Sequence, residues 1–364
     1  MAKRTPLYNR HLSLQGKMVD FAGYELPVQY SSIIKEHLAV REQAGVFDVS
    51  HMGEFMLEGA RVIEFMDHLL PNKYYDLADK HVRYSPMLNN DGGIVDDLLV
   101  YKFNDHKVML VVNAANKEKD WNWITKNIYP DIRIEDFSDS CAQLALQGPK
   151  SKEIISKLIP ESELPQKYYT FNYPITLKGE KCLISYTGYT GEDGCEIYMP
   201  NEIAEYVLDQ LLSLGKDEGI LPCGLGCRDT LRLEAAMPLY GHEMNDEISP
   251  LEAGLKHFIH LEKENFIGKE GLIKKGEPKL KRIGIKAIDR GILREQDPIY
   301  LNNRKIGETT SGSYLPYLKG SYALCLVNDL NLEVGDQVEC EVRGKRLNCE
   351  VVKLPFYTKK KGEK

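Results

Sequence analysis

The stretch Asn89-Asn-Asp-Gly-Gly-Ile-Val-Asp-Asp-Leu-Leu-Val-Tyr101 decides the fold around it. Within it, Asp91-Gly92 is a strong β-hairpin signal, because a two-residue turn needs residues that accept a positive φ angle. We therefore predict two strands joined by a tight turn at 89–93, the second of them running through residues 94–101.

Two neighbouring carboxylates lie in the second predicted strand. Asp96 and Asp97 take opposite faces because side chains alternate along a strand. Both faces are otherwise apolar. Burying a carboxylate among apolar side chains costs folding free energy, unless the group is hydrogen-bonded or has a functional role. Two interpretations stay open: one aspartate accepts hydrogen bonds from nearby turn amides, or one has a functional role. Because they point in opposite directions, the two do not form an acid–acid pair.

Strands and helices alternate on both sides of the hairpin, from Gly53 to about residue 139 and again over 140–275. Predicted strands cover 55–57, 108–112, 142–147, 181–186 and 196–199, and predicted helices cover 62–70, 116–128, 150–158, 204–214 and 224–236. A further helix follows Ser31-Ser32, with Ile33 and Ile34 on its apolar face. Beyond a charged linker at 276–282, only short strands and turns are seen, which predicts a separate all-β module at 277–358.

The composition limits the class of protein. The 364 residues suggest two or three domains. A chain with 43% hydrophobic and 28% charged residues is globular rather than disordered, collagen-like or coiled-coil. The net charge of −7 argues against sequence-independent nucleic-acid binding. The most apolar stretch, Val108-Met-Leu-Val-Val112, is far shorter than the roughly 20 residues of a membrane-spanning helix.

The N-terminus and the cysteines predict a cytoplasmic location. Met1-Ala-Lys-Arg-Thr-Pro-Leu-Tyr8 has neither the apolar core of a secretory signal nor the long arm of a transit peptide. The eight cysteines lack paired spacing, which is typical of reduced thiols. Cys223-Gly-Leu-Gly-Cys227 matches neither a redox motif nor a zinc site, so no metal is predicted. The tail at 359–364 is predicted to be solvated.

A glycine-rich loop, Ser185-Tyr-Thr-Gly-Tyr-Thr-Gly-Glu-Asp-Gly194, precedes a short strand. It is not a nucleotide P-loop, because no Lys-Ser/Thr pair and no helix follow it. In the strand, Glu196 and Tyr198 share the face opposite Cys195 and Ile197. A carboxylate beside tyrosines suits a flat heterocycle with adjacent N–H donors, since two oxygens accept two parallel bonds while the rings stack. The alternative is a surface glutamate on a half-exposed strand.

Arginines and a histidine form the remaining candidates. Arg228 and Arg232 share one helix face, with Arg228 in the first turn, where an anion such as a carboxylate is favoured. The alternative is pairing with Asp229 or Glu234 of the same helix. His51 is either structural or catalytic. The chain lacks G-x-S-x-G, H-E-x-x-H and an N-terminal G-x-G-x-x-G, which argues against a serine hydrolase, a zincin and a self-contained flavin or nicotinamide enzyme.

Taken together and in this order, these motifs are specific for one protein family. The matching stretches are Asp20-Phe-Ala-Gly23, Ala44-Gly-Val-Phe-Asp-Val-Ser-His-Met-Gly-Glu54, Asn90-Asp-Gly-Gly-Ile-Val-Asp-Asp97, Val112-Asn-Ala-Ala-Asn116, Leu146-Gln-Gly-Pro149, Thr187-Gly-Tyr-Thr-Gly-Glu-Asp-Gly194, Arg232-Leu-Glu-Ala235 and Pro355-Phe-Tyr357. Through them the chain closely resembles the T-protein family of the glycine cleavage system, the aminomethyltransferases. The resemblance implies an α+β fold, a three-domain clover-leaf. Two interlaced α/β folate-binding domains (1–50 with 140–230, and 51–139 with 231–276) precede a small C-terminal β-barrel at 277–364.

The resemblance also implies a reaction and a set of site residues. The aminomethyl group on the dihydrolipoyl arm of H-protein is transferred to tetrahydrofolate, which yields 5,10-methylenetetrahydrofolate and ammonia without a metal. Asp97 is then the catalytic carboxylate near N10 of the folate. The implied folate-binding residues are Tyr84, Asp97, Asn113, Tyr189, Glu196, Arg228 and Tyr357, the last of which would close the site from the third domain.

Alternative functions stay open at this stage. One is a non-catalytic folate-binding protein of the same fold, such as the iron–sulfur assembly relatives, whose lysine-glycine-cysteine-tyrosine signature is replaced here by Tyr186-Thr-Gly-Tyr189. Another is the folate half of a dimethylglycine- or sarcosine-oxidising flavoenzyme, but 364 residues leave no room for its flavin domain. A purely structural interaction protein would not explain a carboxylate at Asp97.

Overall fold

The computed structural model describes residues 2–359, so the predicted solvated tail lies outside the described residues apart from Lys359. The chain packs as two compact units. One comprises residues 2–85 together with 97–228, and the other comprises 86–96 together with 229–359. Because segments distant in sequence pack together in each unit, a division into consecutive stretches does not describe this packing. The domain division predicted from the sequence stays a prediction.

Twenty strands and eight α-helices form the described chain. The strands are β1 (Lys3–Arg4), β2 (Lys17–Phe21), β3 (Tyr24–Gln29), β4 (Gly45–Asp48), β5 (Gly53–Glu58), β6 (His81–Leu88), β7 (Ile94–Asn104), β8 (Lys107–Val112), β9 (Arg133–Asp136), β10 (Cys141–Gln147), β11 (Phe171–Leu177), β12 (Glu180–Ser185), β13 (Gly194–Pro200), β14 (Leu221–Pro222), β15 (Lys281–Ala287), β16 (Pro298–Leu301), β17 (Arg304–Leu315), β18 (Gly320–Val327), β19 (Gln337–Val342) and β20 (Lys345–Val352). The helices are α1 (Tyr8–Ser13), α2 (Ile33–Glu42), α3 (Val62–Leu69), α4 (Lys117–Asn127), α5 (Ser151–Leu158), α6 (Ala204–Leu214), α7 (Leu225–Glu234) and α8 (Lys269–Lys275).

The predicted hairpin is present between β6 and β7. Asn89 closes the turn, because its side-chain oxygen accepts hydrogen bonds from the backbone N–H groups of Asp91 and Gly93, both at 3.0 Å. Gly92 has φ +78°, a left-handed conformation that glycine adopts without steric cost. The turn therefore places the two aspartates at the third and fourth positions of β7.

Two larger sheets carry most of the first unit. One has the strand order β11-β12-β13-β10-β4-β14, and the other has the order β6-β7-β8-β5-β9. One face of the first sheet packs against α5 and α6 through apolar side chains such as Ile154 and Leu211. A smaller sheet has the order β1-β3-β2.

A second buried cluster joins side chains of both larger sheets. We call it the inter-sheet layer, and its buried members are Val82, Tyr101, Met109, Val111, Cys141, Phe171, Leu183 and Tyr198. The two faces of β13 divide as the alternation predicts: Cys195 and Ile197 belong to the helix-covered core, whereas Tyr198 belongs to the inter-sheet layer. Polar side chains on the layer's faces are thus enclosed between two sheets.

The C-terminal module is a closed barrel with the strand order β15-β18-β17-β16-β19-β20. Its interior is apolar, with residues such as Ile285, Ile299 and Val351 fully or almost fully buried. The separate all-β module predicted from the turn-rich sequence is confirmed, and so are the β-barrel and the α+β class that the family resemblance implied. All eight cysteines of the chain are buried free thiols.

Helix α2 differs from its predicted pattern. Ser32 caps it as expected, since its hydroxyl accepts a hydrogen bond from the backbone N–H of Lys35 at 3.2 Å. The predicted apolar position Ile34 is 53% exposed, whereas Glu36 and Arg41 are buried. Glu36 accepts hydrogen bonds from the backbone N–H groups of Tyr30 and Ser31, so buried polar partners rather than apolar spacing determine the inner face.

Candidate active site

Asp97 is held by side chains from both neighbouring strands. The Tyr84 hydroxyl on β6 donates a hydrogen bond to Asp97 Oδ2 at 2.9 Å. Asn113, directly after β8, donates from Nδ2 to Asp97 Oδ1 at 2.9 Å and to the Asp97 carbonyl at 3.2 Å. Three of the predicted site residues therefore form one cluster. Donors on both oxygens orient the carboxylate.

Burial distinguishes the two aspartates. Asp96 is fully buried, whereas Asp97 is half-buried. The expectation of a core position is thus wrong for Asp97, because this part of the strand face is incompletely covered. Leu99, the next residue on the same face, is also half-buried, whereas Val95 and Tyr101 on either side are buried. Asp97 is therefore the carboxylate that a bound molecule could contact.

Glu196 lies in an enclosed polar network at the inter-sheet layer. It is only 6% exposed, so the alternative of a half-exposed surface glutamate is wrong. The Thr187 hydroxyl makes a short hydrogen bond to Oε2, and Gln143 Nε2 donates to Oε1 at 3.2 Å. Burial raises the pKa of Glu196, while the bonds from Thr187 and Gln143 and the charge of Arg228 act to lower it. Each carboxylate oxygen of Glu196 is therefore oriented by a hydrogen-bond donor.

Two phenols continue this network behind Glu196. The Tyr198 hydroxyl accepts a hydrogen bond from Gln143 Nε2 at 3.0 Å and lies 2.8 Å from the Tyr101 hydroxyl. Tyr101 in turn lies 3.2 Å from the Ser185 hydroxyl. Because every link is a hydrogen bond between buried groups, the orientation of Gln143 and Glu196 is set by the packing of two sheets.

Arg228 is paired with an aromatic ring rather than with the acids of its own helix. Its guanidinium carbon lies 4.9 Å from the centroid of the Tyr189 ring. Burial lowers the pKa of Arg228, and the nearby charge of Glu196 raises it. The alternative, an ion pair with an acid of the same helix, is instead made by Arg232, whose Nη2 lies 2.7 Å from Asp229 Oδ1. The structure thus brings Arg228, Tyr189 and Glu196 into one neighbourhood.

Tyr169 is a half-buried phenol beside the inter-sheet layer that the sequence reasoning missed. Burial raises its pKa, and the phenols of Tyr168 and Tyr101 and the charges of Glu196 and Asp97 raise it further. Its φ angle of +60° is rare for a bulky side chain and marks a constrained backbone. The sequence carries no motif at this position, because the backbone conformation depends on the surrounding structure.

His51 is a neutral, buried imidazole. Burial and the charge of Arg228 lower its pKa to about 4, while Asp48 acts in the opposite direction. The rings of Phe21 and Tyr24 pack edge-on against it, with centroid distances of 5.7 and 6.4 Å. These ring contacts favour the structural interpretation of His51.

Tyr357 belongs to the second unit. Its backbone N–H donates to the Glu234 carbonyl at 2.8 Å, and its ring packs edge-on against Tyr317 with a centroid distance of 5.4 Å. The predicted role of Tyr357 at the folate site stays a prediction.

Metal-binding clusters and membrane-spanning helices are both absent from the described residues. Within residues 2–359, no group of three or more His, Cys, Asp or Glu side chains is placed to hold a metal ion. No helix in the same range is both long enough and apolar enough to span a membrane.

Comparisons with known proteins show the family to which the chain belongs. A family model for the GCVT N-terminal domain matches residues 7–263, and a model for the glycine cleavage T-protein C-terminal barrel domain matches 281–358. The aminomethyltransferase of Caldanaerobacter subterraneus subsp. tengcongensis is 47% identical over 361 residues, which cover 98% of this chain and 96% of that protein. A Geobacillus aminomethyltransferase is 46% identical over 364 residues, with 99% and 100% covered.

A solved structure of an aminomethyltransferase also matches this chain. The crystal structure of glycine cleavage system aminomethyltransferase T from Bartonella henselae superposes with a TM-score of 0.91 at 32% identity, and the match covers 98% of each chain. The fold and the matched domains define a T-protein-type α+β transferase. The chain belongs to the glycine cleavage T-protein family and is an aminomethyltransferase of the glycine cleavage system.

Proposed function

We propose that this aminomethyltransferase transfers the one-carbon unit from aminomethyl-dihydrolipoyl H-protein to tetrahydrofolate. The products are 5,10-methylenetetrahydrofolate, ammonia and dihydrolipoyl H-protein. The methylene carbon exchanges its bonds to sulfur and nitrogen for bonds to two folate nitrogens, and the two protons of those nitrogens leave with the thiol and the ammonia. The observation that carries the proposal is the Asp97 carboxylate, oriented on both oxygens and half-exposed.

Asp97 is the proposed catalytic residue. A folate nitrogen must be held in line with the methylene carbon, and positive charge develops as the leaving groups depart. A carboxylate with a fixed direction orients the nitrogen and stabilises that positive charge. Tyr84 and Asn113 hold the carboxylate in place, and in this proposal they also line the folate pocket.

Glu196 is the proposed recognition group for the pterin. Its two directed oxygens suit the adjacent N–H donors of an amino-pyrimidine edge. Tyr189 offers a ring for stacking or hydrogen bonding near the pterin. Arg228, packed on Tyr189, would serve the polar or carboxylate end of the folate. Tyr357 is proposed to close the site.

The partners of the proposed reaction are lipoylated H-protein and tetrahydrofolate, the latter as co-substrate, and no metal takes part. The similarity of the chain to bacterial aminomethyltransferases supports this assignment. A cytoplasmic location belongs to the same proposal.

The test is folate-dependent release of ammonia from aminomethylated H-protein. We expect ammonia to appear only when both tetrahydrofolate and the protein are present. The matched control is the Asp97→Asn variant, which should bind tetrahydrofolate but release little ammonia. If the wild-type chain binds tetrahydrofolate and releases no ammonia, the alternative of a non-catalytic folate-binding protein replaces the proposal.

A further inference from the structure

Gln147 lies in the family-matching stretch Leu146-Gln-Gly-Pro149, to which the proposed reaction assigns no role. It is the last residue of β10, and its side chain is buried. Gln143, Ala145 and Gln147 share one face of β10 because side chains alternate along a strand. Ala145 is directly opposite Glu196 on β13. The two glutamines therefore lie on either side of the position that faces Glu196.

The Gln147 amide makes two hydrogen bonds to the glycine-rich loop. Its Nε2 donates to the Thr187 carbonyl at 3.1 Å, and its Oε1 accepts from the Thr190 hydroxyl at 2.8 Å. The orientation of this amide is fixed, because a carbonyl oxygen can only accept and so requires the nitrogen to face Thr187. The Thr190 hydroxyl in turn accepts from the backbone N–H of Glu192 at 3.2 Å. Tyr189 lies in the chain between the two bonded threonines.

The loop backbone also packs directly on the Gln147 amide. A β-carbon at Gly188 would overlap Oε1 of this amide, and one at Gly194 would overlap Nε2. The three atoms nearest to a β-carbon at Gly188 all belong to the end of the Gln147 side chain. Glycine at these two positions therefore allows the loop to approach the amide closely.

Arg41 of α2 holds the same loop at two further points. Its Nη1 donates to the Thr190 carbonyl at 2.8 Å and to Glu192 Oε1 at 2.9 Å, and both side chains of this ion pair are buried. The Asp193 carbonyl accepts from the backbone N–H of Gly148 at 2.8 Å. Side chains and backbone groups from outside the loop thus bond it at positions 187, 190, 192 and 193.

We propose that Gln147 is a positioning residue for tetrahydrofolate, because it fixes the backbone on both sides of Tyr189. The same amide holds Thr187, whose hydroxyl bonds Glu196. The inference rests on the proposed pterin-binding roles of Tyr189 and Glu196. A loop that its own protein already holds in place loses little conformational entropy when a ligand binds. Without the Gln147 amide, part of the binding free energy of folate must be used to order the loop.

The experiment measures the dissociation constant of tetrahydrofolate and the turnover number for ammonia release. Gln147→Ala should raise the dissociation constant about tenfold, because two hydrogen bonds that hold the loop are lost. The turnover number at saturating folate should change less than about threefold, since the variant leaves Asp97 and its donors in place. A merely structural role would lower the melting temperature and the active fraction without this difference between affinity and turnover.

Ser151→Ala is the matched control at the end of the loop. The Ser151 hydroxyl donates to the Asp193 carbonyl at 3.3 Å, beyond the segment that Gln147 holds. One neutral bond at the low end of its energy range corresponds to about a twofold change, so this variant should bind folate within about twofold of wild type. A loss as large as that of Gln147→Ala would contradict a specific role of Gln147.

Gly188→Ala tests the same contact without deleting a hydrogen-bonding group, so it also serves if Gln147→Ala folds poorly. The backbone at Gly188 is not left-handed, and the added methyl group meets only the Gln147 amide and displaces it. We expect a loss of folate affinity similar to that of Gln147→Ala. The double variant should bind no more weakly than Gln147→Ala alone, because the methyl group then occupies the space of the missing amide. Additive losses would contradict a role through this amide.

Amide hydrogen exchange of residues 187–194 in the folate-free protein gives an independent readout. In Gln147→Ala the Glu192 N–H should exchange about tenfold faster than in wild type, and tetrahydrofolate should slow it again, while amides of α6 stay unchanged. Wild-type affinity or wild-type loop exchange in Gln147→Ala would overturn the inference and leave the proposed function intact. Failure of the wild-type protein to bind tetrahydrofolate would instead reject the proposed function, and this inference with it.

Discussion

The Asp97 cluster and the Glu196 network are two ways of holding a carboxylate in one unit of this protein. Asp97 is half-buried and receives one donor from each neighbouring strand, whereas Glu196 is almost fully buried within a network that spans two sheets. An accessible, oriented charge can contact a reacting atom. An enclosed charge with directed oxygens recognises a matching set of donors. The difference separates a position for chemistry from a position for recognition.

The largest effect should come from Asp97→Asn. We expect the turnover number to fall about 100- to 1,000-fold while folate affinity changes less than about threefold, because the lost interaction is electrostatic stabilisation of the transition state. Ammonia release and equilibrium folate titration measure the two quantities. Asp96→Asn, on the opposite face, is the control and should lower the melting temperature while it retains turnover. Equal losses of turnover in two folded variants would remove the distinction between these aspartates.

Glu196→Gln should show the opposite pattern, with weak folate binding and a smaller effect on turnover at saturation. Losing a charged acceptor costs about 1.5–3 kcal/mol, which corresponds to about a 10- to 100-fold rise in the dissociation constant. Because the pKa of Glu196 is raised, wild-type affinity should also fall as pH is lowered through a value above the ordinary 4.5. Unchanged binding in this variant would reject the pterin role.

Arg228→Met should weaken folate binding about fivefold, since it removes the cation proposed for the polar or carboxylate end of the folate, and a partly exposed ion pair contributes up to about 1 kcal/mol. Isothermal titration with tetrahydrofolate measures this change. Arg232→Met is the contrast on the same helix, because Arg232 is ion-paired with Asp229 and Glu243. It should lower the melting temperature rather than act on affinity. If both variants had lower melting temperatures and unchanged folate affinity, Arg228 would lie outside the binding site.

The smallest effect should come from Thr187→Val, which removes one neutral donor to Glu196 and keeps the side-chain shape. We expect folate affinity to fall about twofold to threefold, because Gln143 still donates to Glu196 and one net hydrogen bond contributes about 0.5 kcal/mol at the low end of its range. Ser185→Ala is the comparison: the Ser185 hydroxyl lies 2.7 Å from Thr187 Oγ1 and 3.2 Å from the Tyr101 hydroxyl, so it acts on Glu196 only through its neighbours and should change affinity less. A larger loss of affinity in Ser185→Ala would show that the bond from Thr187 is not what orients Glu196.

Local patterns predicted the features that depend on neighbours in the chain. Alternation assigned Glu196 and Tyr198 to one strand face, and the turn at Asp91-Gly92 gave the expected hairpin. The α+β class and the C-terminal barrel followed from the order of elements and from the family resemblance. The proximity of Tyr84, Asp97 and Asn113 was implied by the resemblance, and hydrogen bonds across adjacent strands bring them together.

Features that depend on distant segments were not predictable in the same way. The exposure of Asp97 depends on how completely other segments cover the middle of its strand face, and the inner face of α2 includes Glu36, which binds backbone groups at Tyr30 and Ser31. Tyr169 packs beside the inter-sheet layer in a left-handed backbone conformation that no local motif encodes. Spacing along a chain carries no information about such contacts, because the partners are chosen by tertiary packing.

Closure of the six-stranded barrel has a consequence for association. A closed sheet presents no row of unpaired backbone N–H and C=O groups, so it offers no template for an added strand from another chain. A protein that binds this module must therefore contact its side chains or its connecting loops. Recognition there can change by surface substitution while the hydrogen-bonded framework beneath stays the same.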